Sequence, residues 1–141
     1  MRKLMKILCG TDLVEIERFR KILENNESGF INKCFTEKEQ EYCRTKAGGK
    51  RAAESFAARF AAKEACGKAL GTGIMSEGIG LTDIEVLNDA KGAPFIELKG
   101  KAKEKADSLG VFSISVSLTH DGGMASAYCT MLADGKDNDP G

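Results

Sequence analysis

The chain has 141 residues with 21 basic and 21 acidic side chains, enough length for one buried core and no net field to draw it to nucleic acid or membrane. No apolar run approaches a membrane span, and the opening MRKLMKILCG is too short in apolar residues for a secretory leader, so the expected location is the cytoplasm. The five cysteines are odd in number, scattered and free of any CxxC pair, which argues for reduced thiols over a disulfide framework or a zinc site.

Residues 6–14, KILCGTDLV, read as a first strand that runs through Thr11 and Asp12 into a charged amphipathic helix over 15–25. Thr36 followed by Glu39 matches a capping box, so FTEKEQEYCRT opens a second, largely solvated helix anchored by Phe35 and Tyr42, and AGGK at 47–50 ends it. The third and longest helix spans about 52–70 and stops at the GTG of 71–73. TDIEVL (82–87) and PFIEL (94–98) alternate around the turn-rich NDAKGA and predict a hairpin. A short helix over 101–109 ends at Gly110. FSISVSL (112–118) sets Phe112, Ile114, Val116 and Leu118 against three serines and pairs with ASAYCTML (125–132) across THDGGM. Residues 1–132 thus form a single α+β domain, a mainly antiparallel sheet packed on a long central helix, and 133–141 read as a disordered tail.

Several polar and charged positions stand out. On the long helix Phe56, Phe60 and Glu64 form one i, i+4 row beside Ala57, Ala61 and Ala65, which sets Glu64 on or beside the apolar face. A carboxylate there needs a cation: a simple i, i+4 pair with Lys68, or a divalent ion. Asp12 interrupts an apolar strand; it could cap the following helix, or share with Glu64 a hard ion such as Mg²⁺, which uses few protein carboxylates and fills its sphere with water and phosphate oxygens. Arg59 and Lys63, also i, i+4, line a neighbouring edge and suit either solvent or a phosphate. His120, the only histidine, lies in SLTHDGGM with Asp121 beside it, and adjacent residues on a strand point to opposite faces. Nucleophile-elbow, P-loop and GxGxxG patterns are absent, which removes the common hydrolase and nucleotide readings.

In order, Gly10-Thr11-Asp12, Glu15-Ile16-Glu17-Arg18, Phe35-Thr36-Glu37-Lys38-Glu39 with Tyr42-Cys43, Arg59 to Ala65 with Lys68-Ala69, and Ser117-Leu118-Thr119-His120 resemble the holo-acyl-carrier-protein synthases. GTDLVEIER and RFAAKEACGKA are the specific signatures, and the likeness spans residues 8–132. It implies the 4′-phosphopantetheinyl transferase fold and transfer of phosphopantetheine from coenzyme A to a serine of apo acyl carrier protein, with release of 3′,5′-ADP, in fatty acid biosynthesis. It also implies Mg²⁺ on Asp12 and Glu64, Lys68 on the phosphates, His120 near the coenzyme, Arg18 on the helix that docks the carrier protein, and a homotrimer with active sites between subunits.

Pyrophosphate cleavage needs a metal and one or two cations more than covalent work from the protein. Glu64, Lys68 and His120 are then the candidate catalytic residues, and Arg59, Lys63, Lys68 and His120 the candidate coenzyme ligands. Glu64, a metal-bound water and His120 all stand as candidate bases. A neutral enzyme needs a local basic face for an acidic carrier protein, which Arg18, Arg20 and Lys21 would supply. Asp121 departs from the family's pattern, in which uncharged residues are common there. The rival reading is a catalytically silent module that binds coenzyme A or carrier protein without transfer; the paired Asp12 and Glu64 favour the enzyme.

Overall fold

The computed structural model describes residues 4–46, 51–71 and 78–135. Strand β1 (Leu4–Glu15) pairs antiparallel with β5 (Met124–Gly135), whose other edge pairs with β4 (Val111–Asp121), in the order β1-β5-β4. A separate antiparallel hairpin joins β2 (Ile84–Asn88) to β3 (Pro94–Leu98). The helices are α1 (Ile16–Glu24), α2 (Ser28–Cys34), α3 (Glu37–Glu41), α4 (Ala52–Ala69) and α5 (Gly100–Leu109). The α+β architecture with an antiparallel sheet on a long central helix is as expected, and no described helix is long and apolar enough to cross a membrane.

Helix α4 lies on the inner face of the large sheet and also meets α1, β2 and β4. Fourteen of its 18 residues are buried, so it needs no single apolar stripe; eight alanines keep its surface low enough for neighbours on most sides. Opposite it, Ala125, Ala127, Cys129, Met131 and Ala133 alternate inward along β5. The closest approach is at Gly10 of β1: a β-carbon built there would stand 2.1 Å from the Ala65 carbonyl oxygen and 2.8 Å from the Ala69 nitrogen. Only glycine lets the strand lie directly on the helix, and Asp12 is thereby carried alongside Glu64 and Lys68. Phe19, Phe30, Phe35, Phe56 and Phe60 interlock α1 and α2 with α4, with centroid spacings of 4.9 to 6.2 Å that suit tilted and edge-on aromatic packing. Among the described residues nothing covers the outer face of the sheet in this way: Met5, Ile7, Leu13 and Tyr128 are exposed on it.

Several boundaries differ from the sequence reading. Helix α2 was not anticipated, because seven residues are too few for a period to show. The second predicted helix turns π-helical at Tyr42–Lys46, and its predicted stop at 47–50 lies outside the described residues. It is also less solvated than expected, since Glu39 is wholly buried. Thr119, His120 and Asp121 belong to β4, leaving Gly122 and Gly123, both with positive φ, as the turn. The tail expectation fails for residues 133–135, where Ala133, Asp134 and Gly135 pair with Lys6, Met5 and Leu4; residues 136–141 lie outside the described residues. Four of the five thiols are buried and Cys9 is exposed, all unbridged.

Candidate active site

Asp12 and Glu64 line one cavity of about 720 Å³ together with Arg18, Lys21 and Phe60. Asp12 does not cap α1: it sits inside β1, and Glu15 is the N-cap without a side-chain bond. Its backbone is fixed on both sides, since Thr11 Oγ1 donates to the Ala127 carbonyl at 3.0 Å and Ser126 Oγ donates to the Asp12 carbonyl at 3.1 Å. Lys68 reaches across from α4 to the strand, its Nζ 2.9 Å from the Thr11 carbonyl and 3.2 Å from Asp12 Oδ1. The i, i+4 pairing of Glu64 with Lys68 therefore gives way to a Lys68–Asp12 bridge. Burial first, and the nearby Asp12 carboxylate second, raise the Glu64 carboxyl above its usual range, against the opposing pull of Lys68 and Arg18. Two like charges held together at a half-buried wall are unfavourable alone and become favourable around a hard cation. The donor set, two carboxylates with room beside them for water and phosphate oxygens, fits Mg²⁺.

Arg18 is exposed, and its guanidinium lies 5.2 Å from the Phe60 ring centroid, 5.8 Å from Phe30 and 5.9 Å from Phe19. Aromatic faces hold it at the mouth of the cavity without neutralising it. Lys21 borders the same cavity, whereas Arg20 is paired with Glu17 at 2.8 Å on its own helix.

Lys63 is not a coenzyme ligand. It is wholly buried, and its Nζ donates to Glu39 Oε1 at 2.7 Å and to the Ile84 and Leu81 carbonyls at 2.7 and 3.0 Å. Burial lowers its ammonium's proton affinity, and Glu39 offsets that loss. Glu39 also closes the predicted capping box, accepting from Thr36 N at 2.9 Å while Thr36 Oγ1 accepts from Glu39 N at 3.2 Å, and its second oxygen accepts from Val86 N at 2.8 Å. A residue read as a helix cap is thus the hub that ties α3, α4 and β2 together.

Arg59 and His120 form a second cluster, lining a cavity of about 320 Å³ with Tyr42, Arg51, Glu54 and Ser55. His120 Nε2 stands 3.6 Å from Glu54 Oε2. Arg59 is buried, stacked 4.0 Å over the Tyr42 ring, and donates to Ser55 Oγ and Asn88 Oδ1. Within one chain this cluster stays apart from Asp12. His120 is on β4 and Asp12 on β1, with β5 between, and the α4 residues they meet, Glu54 and Lys68, lie about 21 Å apart along the helix axis. Sequence reading missed Asn88, which it took for a connector residue, and Tyr42, which it took for a core anchor; neither carries a local signal of its role.

Residues 8–129 match the family model of the 4′-phosphopantetheinyl transferase superfamily. A holo-[acyl-carrier-protein] synthase of Ruminiclostridium cellulolyticum is 47% identical over 127 residues, covering 90% of this chain and 92% of that protein, and one of Trichlorobacter lovleyi is 48% identical over 124, covering 88% and 95%. The crystal structure of the Helicobacter pylori holo-[acyl-carrier-protein] synthase in complex with coenzyme A superposes with a TM-score of 0.74 at 34% identity, covering 88% of this chain and 99% of that one. The Bacillus anthracis enzyme in complex with coenzyme A (3′,5′-ADP) gives a TM-score of 0.74 at 30% identity, covering 93% and 100%. A strand aspartate brought by Gly10 onto a helix glutamate, in a chain matched at this level along most of its length, leads to one assignment: this protein belongs to the 4′-phosphopantetheinyl transferase superfamily, among the holo-[acyl-carrier-protein] synthases.

Proposed function

We propose that the protein transfers 4′-phosphopantetheine from coenzyme A to a serine of apo acyl carrier protein, releasing 3′,5′-ADP, in the cytoplasm and in the service of fatty acid synthesis. The observation that carries this reading is the convergence of Asp12 and Glu64 from two elements on one cavity, with Lys68 bridging to Asp12. Asp12 and Glu64 would hold Mg²⁺, which when bound supplies charge neutralisation on the phosphate oxygens. Lys68 adds a cation beside the same oxygens. Glu64 accepts the serine proton, directly or through a water. Mixing the protein with apo carrier protein, coenzyme A and Mg²⁺ should raise the carrier's intact mass by one phosphopantetheine arm and release one 3′,5′-ADP per arm. An unmodified carrier after prolonged incubation at high enzyme concentration would refute the reading.

A homotrimer with shared sites is part of the proposal. The exposed apolar face of the large sheet supplies a surface for self-association, and the distance between the Asp12 and His120 clusters within one chain is overcome when one copy's Arg59 and His120 meet another's Glu64. Arg18 and Lys21 form the basic rim that receives the acidic carrier. Reversing Arg18 to glutamate is expected to raise KM for carrier protein at least about tenfold while leaving KM for coenzyme A within about twofold, because the reversal opposes carrier encounter. Equal rises for both substrates would remove the docking role.

A further inference from the structure

Two buried cations one turn apart on α4 are treated in opposite ways. Lys63 meets a carboxylate, Glu39, and its charge is neutralised inside the fold. Among the described residues the partners of Arg59 are neutral: the amide oxygen of Asn88, the Ser55 hydroxyl at 3.2 Å and the Tyr42 ring at 4.0 Å. These acceptors are themselves oriented. Asn88 Nδ2 donates to the Gly92 carbonyl at 2.9 Å, which turns the amide oxygen toward Arg59, and Ser55 Oγ donates to Cys43 Sγ at 3.2 Å, which leaves its lone pairs for the guanidinium. Arg59 Nε, buried, has no hydrogen-bond partner among the described residues, and the cavity beside it also receives Arg51, His120 and Glu54, whose carboxylate stands 3.6 Å from His120 Nε2.

We infer that Asn88, at the end of β2, is a positioning residue: it aims the Arg59 guanidinium at a phosphate of coenzyme A through a neutral acceptor that leaves the charge available. The inference rests on the proposed transferase reading. Its physical content is the choice of amide over carboxylate. An aspartate at 88 would hold Arg59 at least as firmly, through a charge-assisted bond, but would cancel the charge that the phosphate must meet. An alanine would release the guanidinium and leave it charged.

The test is steady-state kinetics of the 141-residue chain with coenzyme A varied and carrier protein saturating, then the reverse, for wild type, Asn88→Asp, Asn88→Ala and Arg59→Ala. Asn88→Asp is expected to raise KM for coenzyme A roughly tenfold and Asn88→Ala about threefold, with kcat and KM for carrier protein within twofold in both. The order is the decisive readout, because a purely structural asparagine would tolerate the nearly isosteric aspartate better than alanine. Should the aspartate variant fail to fold, an unchanged KM for coenzyme A in Asn88→Ala overturns the inference and a selective rise supports it. If Asn88→Ala equals or exceeds Asn88→Asp, or if KM rises equally for both substrates, the inference is wrong while a large effect of Arg59→Ala leaves the phosphate site standing. If Arg59→Ala itself leaves KM for coenzyme A unchanged, the phosphate reading of the cavity fails and Asn88 with it.

Discussion

Replacing Glu64 by glutamine is expected to abolish most transfer, at least a hundredfold in kcat/KM, while making the metal-free protein more stable at neutral pH. The first effect follows from removing a group that would hold the cation and accept the proton, each a transition-state interaction. The second follows from the electrostatics of the cavity wall. Burial and Asp12 raise the Glu64 carboxyl above its unfolded range, so its ionised form opposes folding. A raised carboxyl favours the fold below the unfolded range, and that contribution is lost as pH rises through the folded value; at pH 7 the charge is a net cost that glutamine removes. Differential scanning calorimetry without metal should therefore show a higher Tm for Glu64→Gln at pH 7 and a vanishing difference below about pH 4. Added Mg²⁺ should raise the Tm of the wild type and not of the variant. Equal Mg²⁺ stabilisation of both proteins would remove Glu64 from the metal site.

The other large effect is expected at the Glu39–Lys63 pair. Glu39→Ala would leave the Lys63 ammonium in a fully buried site with the Leu81 and Ile84 carbonyls as its hydrogen-bond acceptors among the described residues, and would orphan the Val86 and Thr36 amides that now donate to the carboxylate. Breaking a buried pair from one side costs about 3–5 kcal/mol, which urea unfolding would read directly. Lys63→Met should be milder, because Glu39 keeps its two backbone donors, Thr36 N and Val86 N. The double variant Glu39→Ala/Lys63→Met should recover a good part of the loss, since no charge is then left unpaired. If Glu39→Ala cost less than 1 kcal/mol, the hub described for this pair would not exist.

Much of the fold was written in local patterns. The alternating serines of β4, the Thr36–Glu39 capping box, the left-handed Gly110 and the alternation around NDAKGA each satisfy a short-range rule, and each element formed there, although β4 runs on to Asp121 and β2 to Asn88, and a register shift at Val111–Ser113 turns Phe112 out to solvent. Asp12 and Glu64 were legible for a related reason: a charge at an apolar boundary is costly wherever it falls, so it stands out in sequence before any contact is known. The missed elements lacked such a signal. Helix α2 is too short to show a period, and Tyr42 and Asn88 are ordinary residues until a guanidinium lies against them.

Lys63 and Glu64 mark the boundary between the two kinds of knowledge. They are consecutive, both charged, and carried by a helix buried on nearly all sides, so the sequence by itself determined that each needed a partner and nothing about which. A step of about 100° around the helix turns Lys63 toward the Glu39 capping carboxylate and the β2 backbone, and Glu64 toward the strand that Gly10 brings against α4. Tertiary packing, by deciding which element covers each face, made one of them a structural ion pair and the other a wall of the candidate active site.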